Sequence, residues 1–171
     1  MADAKATTER QAVMDLEKLR THWQGHRGLT RKLIEVYPEA ELFRHSIGGM
    51  RTFGELVNEL IGIAVPMARG IATDSWEAFS DTKAESKAEL LEAWDRSTQE
   101  IDRYWAQIPP SRFNETMVAF GQYRGTGWSQ LFYAIDNEVH HRGQGYVYLR
   151  SLGVEPPAFW ARDGWTESST A

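Results

Sequence analysis

The sequence predicts an all-α protein, four helices packed around one core. Three observations carry that expectation: four long segments repeat apolar residues at helical spacing, the breaks between them are rich in Gly and Pro, and strand-like alternation is scarce. Helices hide an apolar stripe only by packing on one another, so four of them imply a four-helix bundle.

The first helix is expected from about Thr8 to Tyr37, with Val13, Leu16, Leu19 and Trp23 in step and Leu33 and Ile34 resuming the stripe. Gly25 and Gly28 weaken its middle. Pro38 and the stretch RHSIGGMR break the chain, after which Thr52 and Glu55 have the spacing of a capping box and open a second helix reaching about Gly70. Its core stripe is Leu56, Leu60, Ile63 and Met67, and Pro66 is expected to kink its last turns. Ser86 and Glu89 repeat the capping signal for a third helix carrying Leu90, Trp94, Ile101, Tyr104, Trp105 and Ile108, stopped by Pro109 and Pro110. A mobile connection, SRFNETMVAFGQYRGTG, leads to a fourth helix from about Gly127 to Leu152, ended by Gly153, Pro156 and Pro157. The 171 residues are read as a single domain, 1–171, with a polar tail from about 163 to 171.

Composition narrows the function classes. With no cysteine, the chain has no disulfide and no thiolate of its own, so a metal must be held by His, carboxylate or amide oxygen. A formal net charge of −5 with scattered basic residues disfavours a grip on nucleic acid or anionic membrane. No run approaches the roughly 20 apolar residues of a bilayer span, and the N-terminal stretch lacks a secretory signal, so the expected place is the cytoplasm.

The fourth helix has two faces. At about 100° per residue, Trp128, Leu131, Phe132, Ile135, Val139, Tyr146 and Leu149 form the expected core stripe. Tyr133, Asn137, His141, Gln144 and Tyr148 follow one another along a different side, where a merely solvated face would carry Lys and Glu. This second line is read as a polar pocket, a partner surface or a set of hydrogen-bonded packing residues. Arg142 points nearer the apolar stripe, where its charge needs a carboxylate or a set of carbonyls. Gly143 and Gly145 each cost helix propensity, about 1 kcal/mol relative to Ala, and so require a reason. Glu59 lies at the margin of the second helix's stripe, and an inward Glu facing an inward His is how bundles build metal sites, which makes Glu59 and His141 a sensible pair.

DNEVHHRGQGYVYLR, residues 136–150, followed by LGVEPPAFW, resembles the DinB/YfiT-like family of metalloenzymes. The resemblance extends over nearly the whole chain, including TFGELVNEL at the start of the second helix. It implies a four-helix bundle of up-down-down-up order, a homodimer, and a divalent metal, nickel or zinc, between the second and fourth helices. In the family pattern the second helix supplies one His, and the fourth supplies a His or Glu four residues before the His of HRGQ. His141 matches that last position, whereas Glu59 stands where the second-helix His would be and Asn137 stands four residues before His141. The resulting set, Glu59, Asn137 and His141, has more oxygen than the family's, which shifts preference toward harder ions and adds manganese or iron to the candidates.

Other constellations compete. Asp136 and His140 share the i, i+4 spacing, Glu138 lies three residues from His141 and is an optional further ligand, and His22 with His26 forms another i, i+4 pair. Tyr133, Asp136, Glu138, His140, Arg142, Gln144 and Tyr148 are expected to line or support the site, with His140, Tyr133 or Tyr148 able to move protons. By resemblance the activity is a thiol-dependent transfer or isomerisation, or a hydrolysis, on a small-molecule thiol substrate. The alternative is a metal-free protein of the same fold that binds a small molecule or a second copy of itself.

Overall fold

The structure, a computed structural model, describes residues 15–76 and 83–163. They form four α-helices, α1 (Leu16–Val36), α2 (Phe53–Thr73), α3 (Lys87–Trp105) and α4 (Gly127–Ser151), and two strands, β1 (Thr116–Ala119) and β2 (Tyr123–Thr126). Each of α1 and α2 packs against both α3 and α4.

The helix boundaries follow from local chemistry. Asp15 accepts from the backbone N–H groups of Glu17 and Lys18, so α1 starts there; the part of the expected first helix before Asp15, with Val13, lies outside the described residues. The predicted capping box of α2 is complete: Thr52 Oγ1 accepts from the Glu55 N–H and Glu55 Oε2 accepts from the Thr52 N–H. α2 runs through Pro66 to Thr73, a turn farther than expected. Ser86 caps α3 through the Glu89 N–H. α4 ends as predicted, Gly153 adopting φ +76°, a left-handed conformation open to glycine without strain. α2 has the length and composition of a membrane span, contrary to the expectation, but 67% of that window is buried by the rest of the protein. It is the central core helix.

The expected mobile connection is a hairpin. β1 and β2 pair antiparallel from Thr116↔Thr126 to Ala119↔Tyr123, with Met117 and Ala119 buried. Phe120 and Gly121 both take positive φ at its tip. The protein is therefore mostly helical with a small sheet, rather than all-α.

A second correction concerns α4. Leu131, Ile135 and Leu149 are buried as predicted, but Phe132 and Val139 are 37% and 39% exposed. The inward face instead includes Glu138, His141, Arg142, Gly145 and Tyr148. The periodicity rule places charge outside; here one carboxylate is buried against two guanidiniums. Thr30 Oγ1 donates to Glu138 Oε1 at 2.7 Å, and the guanidiniums of Arg142 and Arg27 stand 3.7 and 3.8 Å from the same carboxylate. Arg142 thus finds the carboxylate its position demanded.

The two glycines of α4 have different reasons. A Cβ at Gly145 would run into the ring of Phe53, which is fully buried and stacked on Tyr37, whereas a Cβ at Gly143 meets nothing. Gly143→Ala should therefore stabilise by about 1 kcal/mol through helix propensity. Gly145→Ala should destabilise, because overpacking of about 1–3 kcal/mol outweighs that gain. Urea denaturation of the two variants checks the opposite signs.

Candidate functional site

The capping box fixes the register of α2 so that Glu59, one turn after Glu55, faces α4. The fourth helix brings Asn137 and His141, one turn apart, to the same place. Glu59 Oε1 lies 3.3 Å from His141 Nε2 and 3.5 Å from Asn137 Nδ2. The three residues singled out in the sequence therefore converge. Half a turn of the Asn137 amide would present Oδ1 instead of the NH2 at the same position.

The other ring nitrogen is also held. His141 Nδ1 and Gln144 Oε1 are 2.7 Å apart, with the amide NH2 turned toward Met50 Sδ. With the Gln144 oxygen in that place, Nδ1–H donates to it and Nε2 is the nitrogen left for Glu59. In a neutral ring Nε2 would then bear a lone pair, and a lone pair facing a carboxylate oxygen at 3.3 Å needs a cation between them, either a proton or a metal ion.

Arg51, missed in the sequence, completes the cluster. It stands just before the Thr52 cap, and its Nη1 pairs with Glu59 Oε2. Burial pushes the Glu59 carboxyl up, but the hydrogen bond and charge of Arg51, joined by His141, outweigh burial and hold it below its ordinary value. The signal available in the sequence was a lone cation eight residues before Glu59, two residues before the helix start. Tyr148 is fully buried on the same side of α4, and its hydroxyl has no hydrogen-bond partner among the described residues.

A cleft of about 250 Å³ opens farther along the groove between α2 and α4, lined by Met67, Phe120, Tyr123, Arg124, Gln130 and Tyr133. Met67 is eight residues beyond Glu59 and Tyr133 eight before His141, so the cleft and the polar cluster are about 12 Å apart along the helices. Tyr133 is thus placed in the cleft rather than on the cluster. The hairpin residues of this cleft were also missed, because strands of four residues leave little alternation to read.

The remaining candidates go elsewhere. Asp136 and His140 are exposed. Glu138 and Arg142 belong to the buried network with α1, not to the cluster at Glu59. His26 Nδ1 lies 2.9 Å from Arg142 Nη2, and its Nε2 lies 3.0 Å from Arg162 Nη1 and 3.2 Å from His22. Burial, then the charge of Arg142, lowers the His26 pKa to about 3. Two guanidiniums against this pair exclude the two-histidine clamp as a cation site. Among the described residues no three of His, Asp and Glu converge, so a three-donor site at Glu59 and His141 would need Asn137 as its third donor.

The donor set fits a divalent ion. Bonds of about 2.0–2.2 Å at tetrahedral angles separate neighbouring donors by about 3.3 Å, the spacing already present between His141 Nε2 and Glu59 Oε1. Gln144 holds the far ring nitrogen as partners of ligating histidines do.

Comparison with known proteins gives a consistent picture. The DinB family model matches residues 10–168. The uncharacterized protein YjoA of Bacillus subtilis (strain 168) is 24% identical over 146 residues, covering 83% of this chain and 94% of that protein. The crystal structure of YjoA, a DinB-like protein, superposes with a TM-score of 0.70 at 23% identity over 83% of this chain and 96% of that one. A DinB-like protein from Bacillus cereus ATCC 10987 gives 0.69 at 18% identity, over 83% and 95%. Mycothiol-dependent maleylpyruvate isomerase gives 0.59 at 15% identity, covering 81% of this chain and 68% of the isomerase. At these identities the structural likeness establishes a shared fold.

Proposed function

The chain belongs to the DinB family, and from that premise we propose that it is a divalent-metal protein acting on a small molecule in the groove between α2 and α4. One observation carries this reading: His141 Nε2 and Glu59 Oε1 face each other at 3.3 Å while Gln144 engages Nδ1, an arrangement that calls for a cation between them. Glu59 Oε1, His141 Nε2 and Asn137 Oδ1 would hold the ion. Bound there with open positions, it would supply Lewis-acid polarisation of a carbonyl or activation of a water or thiol. Gln144 keeps the His141 ring in place, and the cleft at Met67 and Tyr133 takes the less polar part of the substrate.

The reaction class in this reading is thiol-dependent transfer or isomerisation, with hydrolysis as the second candidate. It is supported by the family and by the fold shared with a mycothiol-dependent isomerase. The reading also takes the chain as an up-down-down-up four-helix bundle and a cytoplasmic homodimer that binds neither nucleic acid nor membrane. The oxygen-rich donors favour manganese or iron(II) over the nickel or zinc implied by the family pattern.

A metal-free small-molecule site is favoured by one fact, the pairing of Glu59 with Arg51, which already neutralises the carboxylate. Asn137→His separates the two. Restoring an imidazole to a metal site should raise zinc and nickel affinity by about tenfold or more and move preference toward them, as read by competitive titration with a chromophoric chelator. A metal-free site predicts no tight zinc binding in either form.

A further inference from the structure

Resting on the metal reading, we propose that Arg51 is the ligand-recognition residue of this site: it occupies Glu59 in the absence of metal, and once a divalent cation takes the carboxylate it binds an anionic group of the small molecule. Three observations carry this. First, Arg51 pairs with Glu59 Oε2, so it neutralises the same carboxylate whose Oε1 is offered to the metal, and the two cations compete for one charge. Second, the Arg51 side chain is 51% exposed, whereas Arg27 and Arg142 are buried in their own network. It can turn away from Glu59 into water with little loss of hydration. The segment leading to it contains Gly48 and Gly49 at φ +63° and +74°, with open space where a side chain would be.

Third, the charge balance moves from neutral to positive when a metal binds. Glu59 with Arg51 is neutral, but Glu59, Arg51 and a divalent cation leave an excess of two positive charges in a half-buried groove, and such an excess recruits an anion. The ligand class is therefore a small molecule bearing a carboxylate or comparable anionic oxygen group beside the atom that meets the metal.

The test is calorimetry of Mn2+ binding to the full chain, followed by titration of oxalate into the Mn2+-loaded protein, for wild type, Arg51→Ala and Arg51→Lys. Removing a half-exposed competing cation should tighten Mn2+ binding by about two- to fivefold. The same change should weaken oxalate by about fivefold or more, the lower end of ordinary coupling between sites, and Arg51→Lys should recover part of that loss. Equal or weaker Mn2+ affinity in Arg51→Ala overturns the competition, and equal oxalate affinity overturns the recognition role. If no form takes up Mn2+, the metal reading itself fails and this inference with it, an outcome distinct from uptake at equal affinity.

Discussion

Glu138→Gln is expected to lose about 3–5 kcal/mol of folding stability, the cost of breaking a buried ion pair from one side. Glu138 is 2% exposed, and its carboxylate is the only acid facing the guanidiniums of Arg27 and Arg142 among the ion pairs of the described residues. Burial pushes its carboxyl above its ordinary value, and Arg27, Thr30 and Arg142 offset only part of that rise. Glutamine preserves the shape and the Thr30 contact but leaves two cations uncompensated. Arg27 is the more costly of the two, since it is fully buried over the face of Trp94, 3.9 Å from the ring, and burial lowers its pKa to about 10. Pairing Glu138→Gln with Arg27→Met should recover part of the loss, a non-additivity that urea midpoints of the single and double variants measure directly. A loss below about 1 kcal/mol would mean the pair is not the organising contact between α1 and α4.

His141→Ala is expected to lower divalent-metal affinity by more than about 100-fold, beyond the 10–100-fold typical of removing an outer partner. Gln144→Ala falls within that smaller range, because it frees Nδ1 but leaves all three donors in place. The ranking is the informative part. If Gln144→Ala and His141→Ala weaken binding equally, His141 does not contact the ion and works only as a packing residue. Both variants should keep the fold, since neither side chain belongs to the buried network around Glu138 or to the apolar core.

Much of this was readable in the residues. The caps at Thr52 and Ser86 obey local hydrogen-bond rules that need no tertiary context, and the starts of α2 and α3 fell where those caps put them. Helical spacing put Asn137 and His141 on one face and Glu59 at the margin of its own stripe, and the family pattern joined the three. The orientation of α4 was not, because Glu138 and Arg142 enter the core only as partners of Thr30 and Arg27, more than a hundred residues away in sequence. The hairpin at β1 and β2 escaped because four residues give too short an alternation, and its tip lacks an Asn-Gly or Asp-Gly signal. Arg51 was invisible for a related reason: outside the helix start it has no periodicity to betray it, and only the fold carries it back onto Glu59.

The most direct test of a metal centre between α2 and α4 is anomalous X-ray scattering from crystals grown with Mn2+. A single peak bounded by Glu59 Oε1, Asn137 Oδ1 and His141 Nε2, with the Arg51 guanidinium turned off Glu59, is the result expected. A peak at His22 and His26, or none at His141 while Arg51 stays on Glu59, would contradict it.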